Sequence, residues 1–380
     1  MNLLISAGEP SGDLHGSRLL HSLRGLRPGV AAFGMGGERL EAEGLERVVS
    51  SEDLSVVGIS EVFEKLPALS RALRTITREA RRRRPTAAVL IDFPDFHGLL
   101  ARRLRRAGIP LIYYVSPQFW AWRRGRAAGL ARRALRIVTL FPFEAEVYRR
   151  LGADAVWAGH PLVDDVREGL QRSPAIPRDP ARRRLLLLPG SRTAEVRRHW
   201  NVMLEAAVTL GKRHPLEILA VRAPGLPLSL YAGSSESGVT ISPAIERHAL
   251  LSSADLAFIA SGTATLEAAL CGAPMVVVYR TSPVSHALAR LLVRIPRISL
   301  VNIVAGGEVV PELIQKDLDA SRLVAEGEAL LGSPQRVRRM REGLARVARD
   351  LGPPGGSDRA AEAILGALEP GAGQTRAATP

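Results

Sequence analysis

Two glycine-containing turns are placed to bind an anion. The turn at 8–13 (GEPSGD) follows the apolar run 3–5, and the turn at 189–192 (PGSR) follows the apolar run 185–188. Each turn precedes a helical pattern, so its backbone N–H groups and the positive helix end converge on one point, which suits a phosphate. Because the two halves begin alike, we expect two domains that bind a charged ligand between them. The candidate residues of the turns are Glu9, Ser11, Gly12, Asp13, Gly190, Ser191 and Arg192.

A third turn, 261–267 (SGTATLE), follows the apolar run 256–260 and opens another helical pattern. The N–H groups of Gly262 and Thr263 can hold a phosphate, and Glu267 lies where a carboxylate can accept ribose hydroxyls. The alternative is a capped helix whose glutamate merely lies near the helix dipole. The position at the carboxyl end of an expected strand favours binding, because open α/β sheets bind ligands there.

Further candidates for the same ligand are Arg192, Asn302, Glu312 and Gln315. Arginine can pair with a diphosphate through two parallel N–H groups, a geometry that lysine lacks, although Arg192 could also be one more surface arginine. Asn302 follows another apolar segment. Pro311 resembles a first-turn proline, which predicts a helix start at Glu312. Glu312 could then simply be an acid at a helix N-terminus.

The best candidate for a general base is Asp95, in the segment 92–97 (DFPDFH) that leaves the expected strand 87–91. A carboxylate at a strand end between two aromatic residues can line a cleft and have its pKa tuned. The alternative is a helix N-cap ahead of Gly98. His97 either assists Asp95 or caps the helix. No cluster of His, Cys and Asp has metal-ligand spacing, so we expect no metal and no cofactor.

The bulk composition predicts a two-domain cytoplasmic protein. A chain of 380 residues exceeds what one hydrophobic core usually covers. The one cysteine, Cys271, cannot form an internal disulfide. The first residues lack the basic and long apolar regions of a secretory signal, and no apolar run reaches the roughly 20 residues of a membrane span.

The segment 71–136 carries 17 arginines against three acids, a net charge of +14. These arginines either cover solvated helix faces or bind an anionic partner. Nucleic acid is disfavoured, because aromatic residues are only 4% of the chain and do not interleave with the arginines. An anionic lipid surface fits better.

An apolar stripe precedes this segment and either faces the core or contacts lipid and acyl chains. The pair Trp120 and Trp122, followed by two arginines, fits the interfacial alternative. The stripe consists of Val57, Ile59, Val62, Phe63, Leu66, Leu69 and Leu73.

Strand-like and helix-like segments alternate, which predicts an α/β fold of two Rossmann-like, doubly wound domains. The expected strands are 3–6, 31–34, 87–91, 111–115, 137–141 and 155–158, then 185–188, 216–221, 239–241, 256–260 and 275–279. We expect domains at 1–164 and 185–350, a proline-bearing linker at 165–184, a terminal helix within 351–369 and a disordered tail at 370–380. The terminal helix packs on the first domain or on a partner subunit.

Taken together, these motifs resemble the lipid-A-disaccharide synthase family, whose members have two facing Rossmann-like domains in the GT-B fold. The resemblance covers about residues 1–365. The matching motifs are 8–13, 57–62, 92–96, 120–123, 159–164, 188–192, 261–267, Asn302 and 311–315. The family pattern differs at His97, where asparagine is usual, at Phe119, where valine is usual, and at Gly307, where arginine is frequent.

The resemblance implies an inverting transfer from UDP-2,3-diacylglucosamine to 2,3-diacylglucosamine 1-phosphate at the cytoplasmic face of the inner membrane, where the protein is peripheral. Asp95 is implied as the catalytic carboxylate. Arg192, Gly262, Thr263, Glu267, Asn302, Glu312 and Gln315 are implied on the UDP side. The residues expected to line the acceptor cleft are Glu9, Ser11, Gly12, Asp13 and His97. Rival interpretations are a UDP-N-acetylglucosamine 2-epimerase, a murein-precursor transferase, or a protein that binds nucleotide sugars or anionic lipids without catalysis. The sequence leaves open whether the protein forms a homodimer.

Overall fold

The structure, a computed structural model, describes residues 1–52, 59–116, 124–173, 176–282 and 297–369, without the side chains of 59–65 and 124. It divides the chain into two compact units. The first consists of Met1–Pro161 together with the chain from Gly352 onward, and the second of Leu162–Leu351. The chain therefore leaves the first unit once and returns to it once.

The first unit contains a seven-stranded parallel sheet in the order β3-β2-β1-β4-β5-β6-β7. Its strands are β1 (Asn2–Ala7), β2 (Ala31–Gly36), β3 (Glu46–Ser50), β4 (Ala87–Ile91), β5 (Leu111–Tyr114), β6 (Arg136–Thr139) and β7 (Ala155–Trp157). Its first helices are α1 (Pro10–Leu26), α2 (Glu38–Ala42), α3 (Ile59–Arg83), α4 (Pro94–Arg106), α5 (Arg124–Ala131) and α6 (Pro142–Arg150). The α/β alternation confirms the predicted class of this half.

The predicted apolar stripe divides along α3. Leu73 is buried in the core of the first unit, Leu69 packs half-buried against it, and Leu66 is exposed. The core interpretation therefore holds for the later part of the stripe. Val57, Trp120 and Trp122 lie outside the described residues, as do the side chains of Ile59, Val62 and Phe63.

The second unit begins with α7 (Leu162–Arg172) and contains a six-stranded parallel sheet in the order β10-β9-β8-β11-β12-β13. Its strands are β8 (Arg183–Leu188), β9 (Leu216–Arg222), β10 (Thr240–Pro243), β11 (Leu256–Ala260), β12 (Met275–Tyr279) and β13 (Glu312–Ile314). Its other helices are α8 (Thr193–Gly211), α9 (Arg247–Ser252), α10 (Thr263–Leu270), α11 (Leu300–Val304), α12 (Ala320–Leu331) and α13 (Pro334–Asp350). Both halves thus have the predicted parallel sheet.

Half of the expected linker at 165–184 lies in a helix or a strand, and residues 174–175 lie outside the described residues. Its first part belongs to α7, which buries Leu162 and Val166 and packs against α9 and α10 of the second unit. Residues one turn apart on an amphipathic helix share a face, which explains this burial. The last part of the expected linker already lies in β8.

The terminal helix α14 (Gly356–Leu368) packs on α1 and β6 of the first unit. It buries Ala360, Ala361 and Ile364 completely, and the Arg136 guanidinium donates to the Ala363 carbonyl at 2.7 Å. The sequence left open whether this helix packs on the first domain or on a partner subunit. In the structure it packs on the first unit. The tail 370–380 lies outside the described residues. Among the helices that the structure describes, none is both long and apolar enough to cross a bilayer.

Candidate functional site

In the first unit, the strand order reverses between β1 and β4, so the turns that follow these two strands share one crevice at the carboxyl edge. A Cβ atom on Gly8 would lie 2.1 Å from the Phe93 ring, so only glycine allows the two turns to approach this closely. Burial and the charge of Glu9 raise the pKa of Asp92 to about 6. The crevice therefore places the charge of Glu9 close enough to act on Asp92.

The turn after β4 has an unusual backbone. Asp92 and Phe93 have φ angles of 51° and 50°, a left-handed conformation that non-glycine residues rarely adopt. His97, which is fully buried, stabilises the turn: its Nδ1 donates to the Asp92 carbonyl at 2.5 Å. Nε2 then accepts from the Ser6 hydroxyl at 2.8 Å. His97 therefore holds this turn together from the interior and does not line the cleft as predicted.

Asp95 lies in the first turn of α4, and its side chain is 75% exposed. The Arg126 guanidinium of α5 forms an ion pair with it. The carboxylate is thus accessible to a substrate hydroxyl, with a cation beside it. The structure contains the predicted helix start but gives the carboxylate an arginine partner that the sequence did not indicate.

The other predicted residues of the first turn separate into surface and interior. Glu9 is half-buried and Ser11 is exposed, whereas Gly12 and Asp13 are buried. Asp13 accepts from the backbone N–H groups of Gly37 at 2.7 Å, Arg39 at 3.1 Å and Leu40 at 3.3 Å. Its carboxylate caps the N-terminus of α2, which corrects the prediction that Asp13 lines the acceptor cleft.

In the second unit, the strand order reverses between β8 and β11. The turn after β8 is closed by a residue that the sequence analysis missed. Glu195 accepts from the N–H groups of Ser191 at 3.0 Å and Arg192 at 3.3 Å, and from the Arg192 guanidinium at 2.9 Å. Two of the N–H groups predicted for an anion are therefore engaged within the turn. The spacing of Glu195, three residues after the N-cap, is typical of a capping box and could have revealed this.

The Arg192 side chain remains 66% exposed beside this turn. Gly190 has a φ of 133°, and a Cβ atom there would lie 2.6 Å from Glu195 Cβ. The glycine therefore permits the close approach of Glu195. An incoming diphosphate would compete with Glu195 for the Arg192 guanidinium.

The turn after β11 is open. Among the described residues, a Cβ atom added to Gly262 would meet no atom within 4 Å, and Thr263 is exposed at the start of α10. The Ser261 hydroxyl donates to the Ile298 carbonyl at 3.0 Å. The space over Gly262 thus leaves room for a phosphate at the N-terminus of α10.

Glu267, predicted to accept ribose hydroxyls, has a side chain only 8% exposed. Its carboxylate lies 2.5 Å from Arg247 Nε and 3.5 Å from His248 Nε2, both on α9. The charge is therefore neutralised inside the unit. The sequence around Glu267 does not indicate either of these partners.

Glu312 begins strand β13, which corrects the predicted helix start. Its carboxylate accepts from the N–H groups of Ile298 at 2.9 Å and Ser299 at 3.0 Å, and from Asn302 Nδ2 at 2.7 Å. Asn302 Oδ1 in turn accepts from the N–H of Val309 at 2.7 Å. Both predicted UDP ligands are thus engaged in an internal network that fixes the start of α11.

Gln315 follows β13 with a φ of 56°. Its side-chain Oε1 accepts from the N–H of Thr281 at 3.4 Å, and its carbonyl accepts from Arg280 Nε at 3.3 Å. Gln315 and Arg280 thus join the carboxyl ends of β12 and β13. Arg280 was not among the residues predicted from the sequence.

Buried histidines make the stability of the first unit pH-dependent. Burial lowers the pKa of His15 and His97 to about 4 and that of His160 to about 3, from 6.5. Because the unfolded chain binds these protons first, the contribution of each histidine is complete above pH 6.5 and is lost as the pH falls toward 4. His97→Asn should therefore lose about 2 kcal/mol less free energy of unfolding than the wild type between pH 7 and pH 5.

Urea unfolding at the two pH values measures this difference. His21→Asn, which removes a histidine with a 78% exposed side chain, is the matched control and should follow the wild type. An equal loss in His97→Asn and wild type would contradict the inferred neutral state of His97.

The model of one protein family matches nearly the whole chain: the lipid-A-disaccharide synthetase family, over residues 3–356. The chain is also 42% identical, over 372 residues, to the lipid-A-disaccharide synthase of Anaeromyxobacter dehalogenans strain 2CP-C. That alignment covers 96% of this chain and 97% of the relative.

Solved structures of the same architecture are more distant in sequence. The calicheamicin glycosyltransferase matches with a TM-score of 0.65 at 16% identity, covering 100% of this chain and 99% of its own. The UDP-GlcNAc 2-epimerase from Neisseria meningitidis, bound to UDP-GlcNAc, matches with a TM-score of 0.59 at 10% identity, covering 97% and 99%. These likenesses concern the fold, and they confirm the prediction of two Rossmann-like domains of the GT-B type.

Proposed function

Because the chain belongs to the lipid-A-disaccharide synthase family, we propose that it joins UDP-2,3-diacylglucosamine to 2,3-diacylglucosamine 1-phosphate and releases UDP. The family catalyses the step that forms the lipid A disaccharide, so the protein is a glycosyltransferase. The match along almost the entire chain carries this conclusion. Epimerases share the fold, but the family match gives no support to an epimerase.

The donor diphosphate is proposed to bind at the strand reversal of the second unit. Neighbouring parallel strands lie about 4.8 Å apart, so the turns after β8 and β11 are close enough to share one diphosphate. The open space over Gly262 and the exposed guanidinium of Arg192 support this assignment. The backbone N–H groups of Gly262 and Thr263 and the guanidinium of Arg192 would stabilise the negative charge that develops on the leaving UDP.

Glu267, Asn302 and Glu312 are proposed to shape this donor site through the elements they hold. The network of Glu312 fixes Ile298, whose carbonyl accepts from Ser261 in the turn after β11. Glu267, on α10 itself, ties that helix to α9. Gln315 lies at the end of β13, along the same carboxyl edge.

Asp95 is proposed as the general base. As the acceptor 6-hydroxyl attacks C1 of the donor sugar, Asp95 accepts its proton, the C1–oxygen bond to UDP breaks, and UDP leaves with the bonding electrons. A single displacement of this kind inverts the configuration at C1 and gives a β(1→6) linkage. The exposure of the carboxylate and the nearby crevice between β1 and β4 support the assignment. Glu9 and Ser11, on the neighbouring turn, are the proposed acceptor contacts.

A peripheral attachment to the inner membrane is proposed through α3 and α4, which pack together. Leu66 and Leu99 are exposed apolar residues on these helices. The exposed arginines of the same helices are Arg71, Arg74, Arg78, Arg81, Arg82, Arg102, Arg105 and Arg106. A cationic surface with apolar side chains suits an anionic bilayer and a substrate with acyl chains.

Co-sedimentation with vesicles tests the attachment. The protein should bind phosphatidylglycerol vesicles, release them as salt rises to about 0.5 M, and bind phosphatidylcholine vesicles weakly, because salt screens exposed charges. Equal binding to both vesicle types at every salt concentration would reject an electrostatic attachment.

The substrate class is tested by mass spectrometry of the products formed from the acylated donor and acceptor, with UDP-N-acetylglucosamine as a parallel donor. Disaccharide from the acylated pair alone is the expected result. Epimerised UDP-N-acetylglucosamine, or no product from the acylated pair, would overturn the proposed substrates.

A further inference from the structure

A buried histidine in the second unit connects two strand ends that are not neighbours. His199, in the second turn of α8, is 0% exposed. Its Nδ1 lies 2.8 Å from the carbonyl oxygen of Pro189, directly after β8, and its Nε2 lies 2.9 Å from the backbone nitrogen of Arg280, directly after β12. Because β11 lies between β8 and β12, the imidazole bridges the two strand ends that flank the turn of Gly262.

The partners determine the tautomer of this imidazole. The Arg280 N–H can only donate, so Nε2 carries the lone pair, and the Pro189 carbonyl can only accept, so Nδ1 carries the proton. Burial lowers the pKa of His199, which favours this neutral form. The ring therefore makes both of its hydrogen bonds at once, and removing it would leave a part-buried donor and a buried acceptor unpaired.

The connection continues beyond Arg280. Its guanidinium donates to the carbonyl of Gln315, with Nε at 3.3 Å and a terminal nitrogen at 3.2 Å, and also to the carbonyl of Leu318. A chain of hydrogen bonds thus runs along the carboxyl edge of the sheet from β8 to β13. The turn with Arg192 begins at one end of this chain, and Gln315 lies at the other.

We propose that His199 is a positioning residue for the donor diphosphate. By holding Pro189 against the end of β12, it fixes the turn that carries Arg192 relative to the turn that carries Gly262. The inference rests on the proposed donor site and adds a residue to it. Unlike Arg192, His199 does not touch the donor, and it acts only through the two backbone groups it binds.

The test is UDP titration by calorimetry, together with the KM of each substrate. In His199→Leu, the lost pair of bonds should raise the UDP Kd and the donor KM about 10-fold, while the acceptor KM stays within about twofold. His199→Gln keeps one donor and one acceptor and should bring the UDP Kd back to within about threefold of the wild type.

Trp200→Phe is the matched control on the same helix. It removes one part-buried hydrogen bond, from Trp200 Nε1 to the Ala232 carbonyl at 2.8 Å, which involves a different loop. This variant should lower the Tm and leave the UDP Kd unchanged. If His199→Leu does not fold, His199→Asn takes its place: it can reach Pro189 alone and should raise the UDP Kd about threefold.

The inference is overturned if the leucine variant, or the asparagine variant in its place, lowers the Tm as Trp200→Phe does and yet binds UDP within twofold of the wild type. It is also overturned if His199→Gln binds UDP as weakly as His199→Leu, since the ring's volume would then matter more than its two bonds. If the wild-type protein binds UDP but forms no disaccharide, the proposed reaction is rejected. The UDP titration of the variants would still test the positioning role of His199.

Discussion

Asp95→Ala is expected to lower the turnover of disaccharide synthesis about 10²- to 10⁴-fold, the usual contribution of a general base. The loss should appear in kcat, because the carboxylate accepts the proton of the acceptor hydroxyl while that hydroxyl attacks C1 of the donor sugar. The UDP Kd should stay within about threefold of the wild type, since the proposed diphosphate contacts lie in the other unit. Steady-state kinetics with both acylated substrates and UDP titration measure the two quantities.

Asp154→Ala is the matched control for this experiment. Asp154 also pairs with an arginine of the first unit, Arg136, at 2.8 Å, but it precedes β7 at the amino edge of the sheet. Its replacement should leave turnover within about twofold, because Asp154 lies at the opposite edge of the sheet from Asp95. Near-normal turnover in Asp95→Ala would reject the general base.

Arg192→Ala is expected to lower kcat/KM about 10²- to 10³-fold, because a group that stabilises leaving-group charge in the transition state is lost. Arg192→Lys restores the charge without the paired N–H geometry and should recover only part of the loss. Initial rates at varied donor concentration measure both variants. A lysine variant with full activity would indicate that charge alone is sufficient.

Arg213→Ala provides the comparison for Arg192. Arg213 follows α8 at its other end, is similarly exposed, and pairs with Glu328 at 2.6 Å. It lies at the amino edge of the sheet, before β9, so its loss should leave kcat/KM within about twofold. Equal losses in the two alanine variants would point to the stability of α8 and would contradict a specific contact with the diphosphate.

The sequence predicted the interior of both sheets better than their edges. The two strands that it missed, β3 and β13, each lie at the edge of a sheet. Central parallel strands are covered on both sides and are continuously apolar, as in LLIS after Asn2. The edge strands, ERVVS and ELI, include charged residues and are only partly buried, so their composition resembles that of a loop.

The sequence predicted those parts of the candidate site that consist of residues adjacent along the chain. The turns after β1, β4, β8 and β11 were identified because a strand, a glycine or proline, and a helix follow one another directly. The partners of the carboxylates were not predictable, because they are distant in sequence: Asp13 binds Gly37, and Glu312 binds Ile298. Only the fold brings these groups together, and it engages Asp13, Glu267 and Glu312 in contacts inside their own units.

The return of the chain through α14 makes the first unit discontinuous in sequence. During synthesis, the residues that bury one side of α1 leave the ribosome after the whole second unit. The second unit is therefore the first that can complete its fold, although domains more often finish in chain order. A protein cut after Pro161 would keep all seven strands of the first sheet and still expose apolar surface on α1.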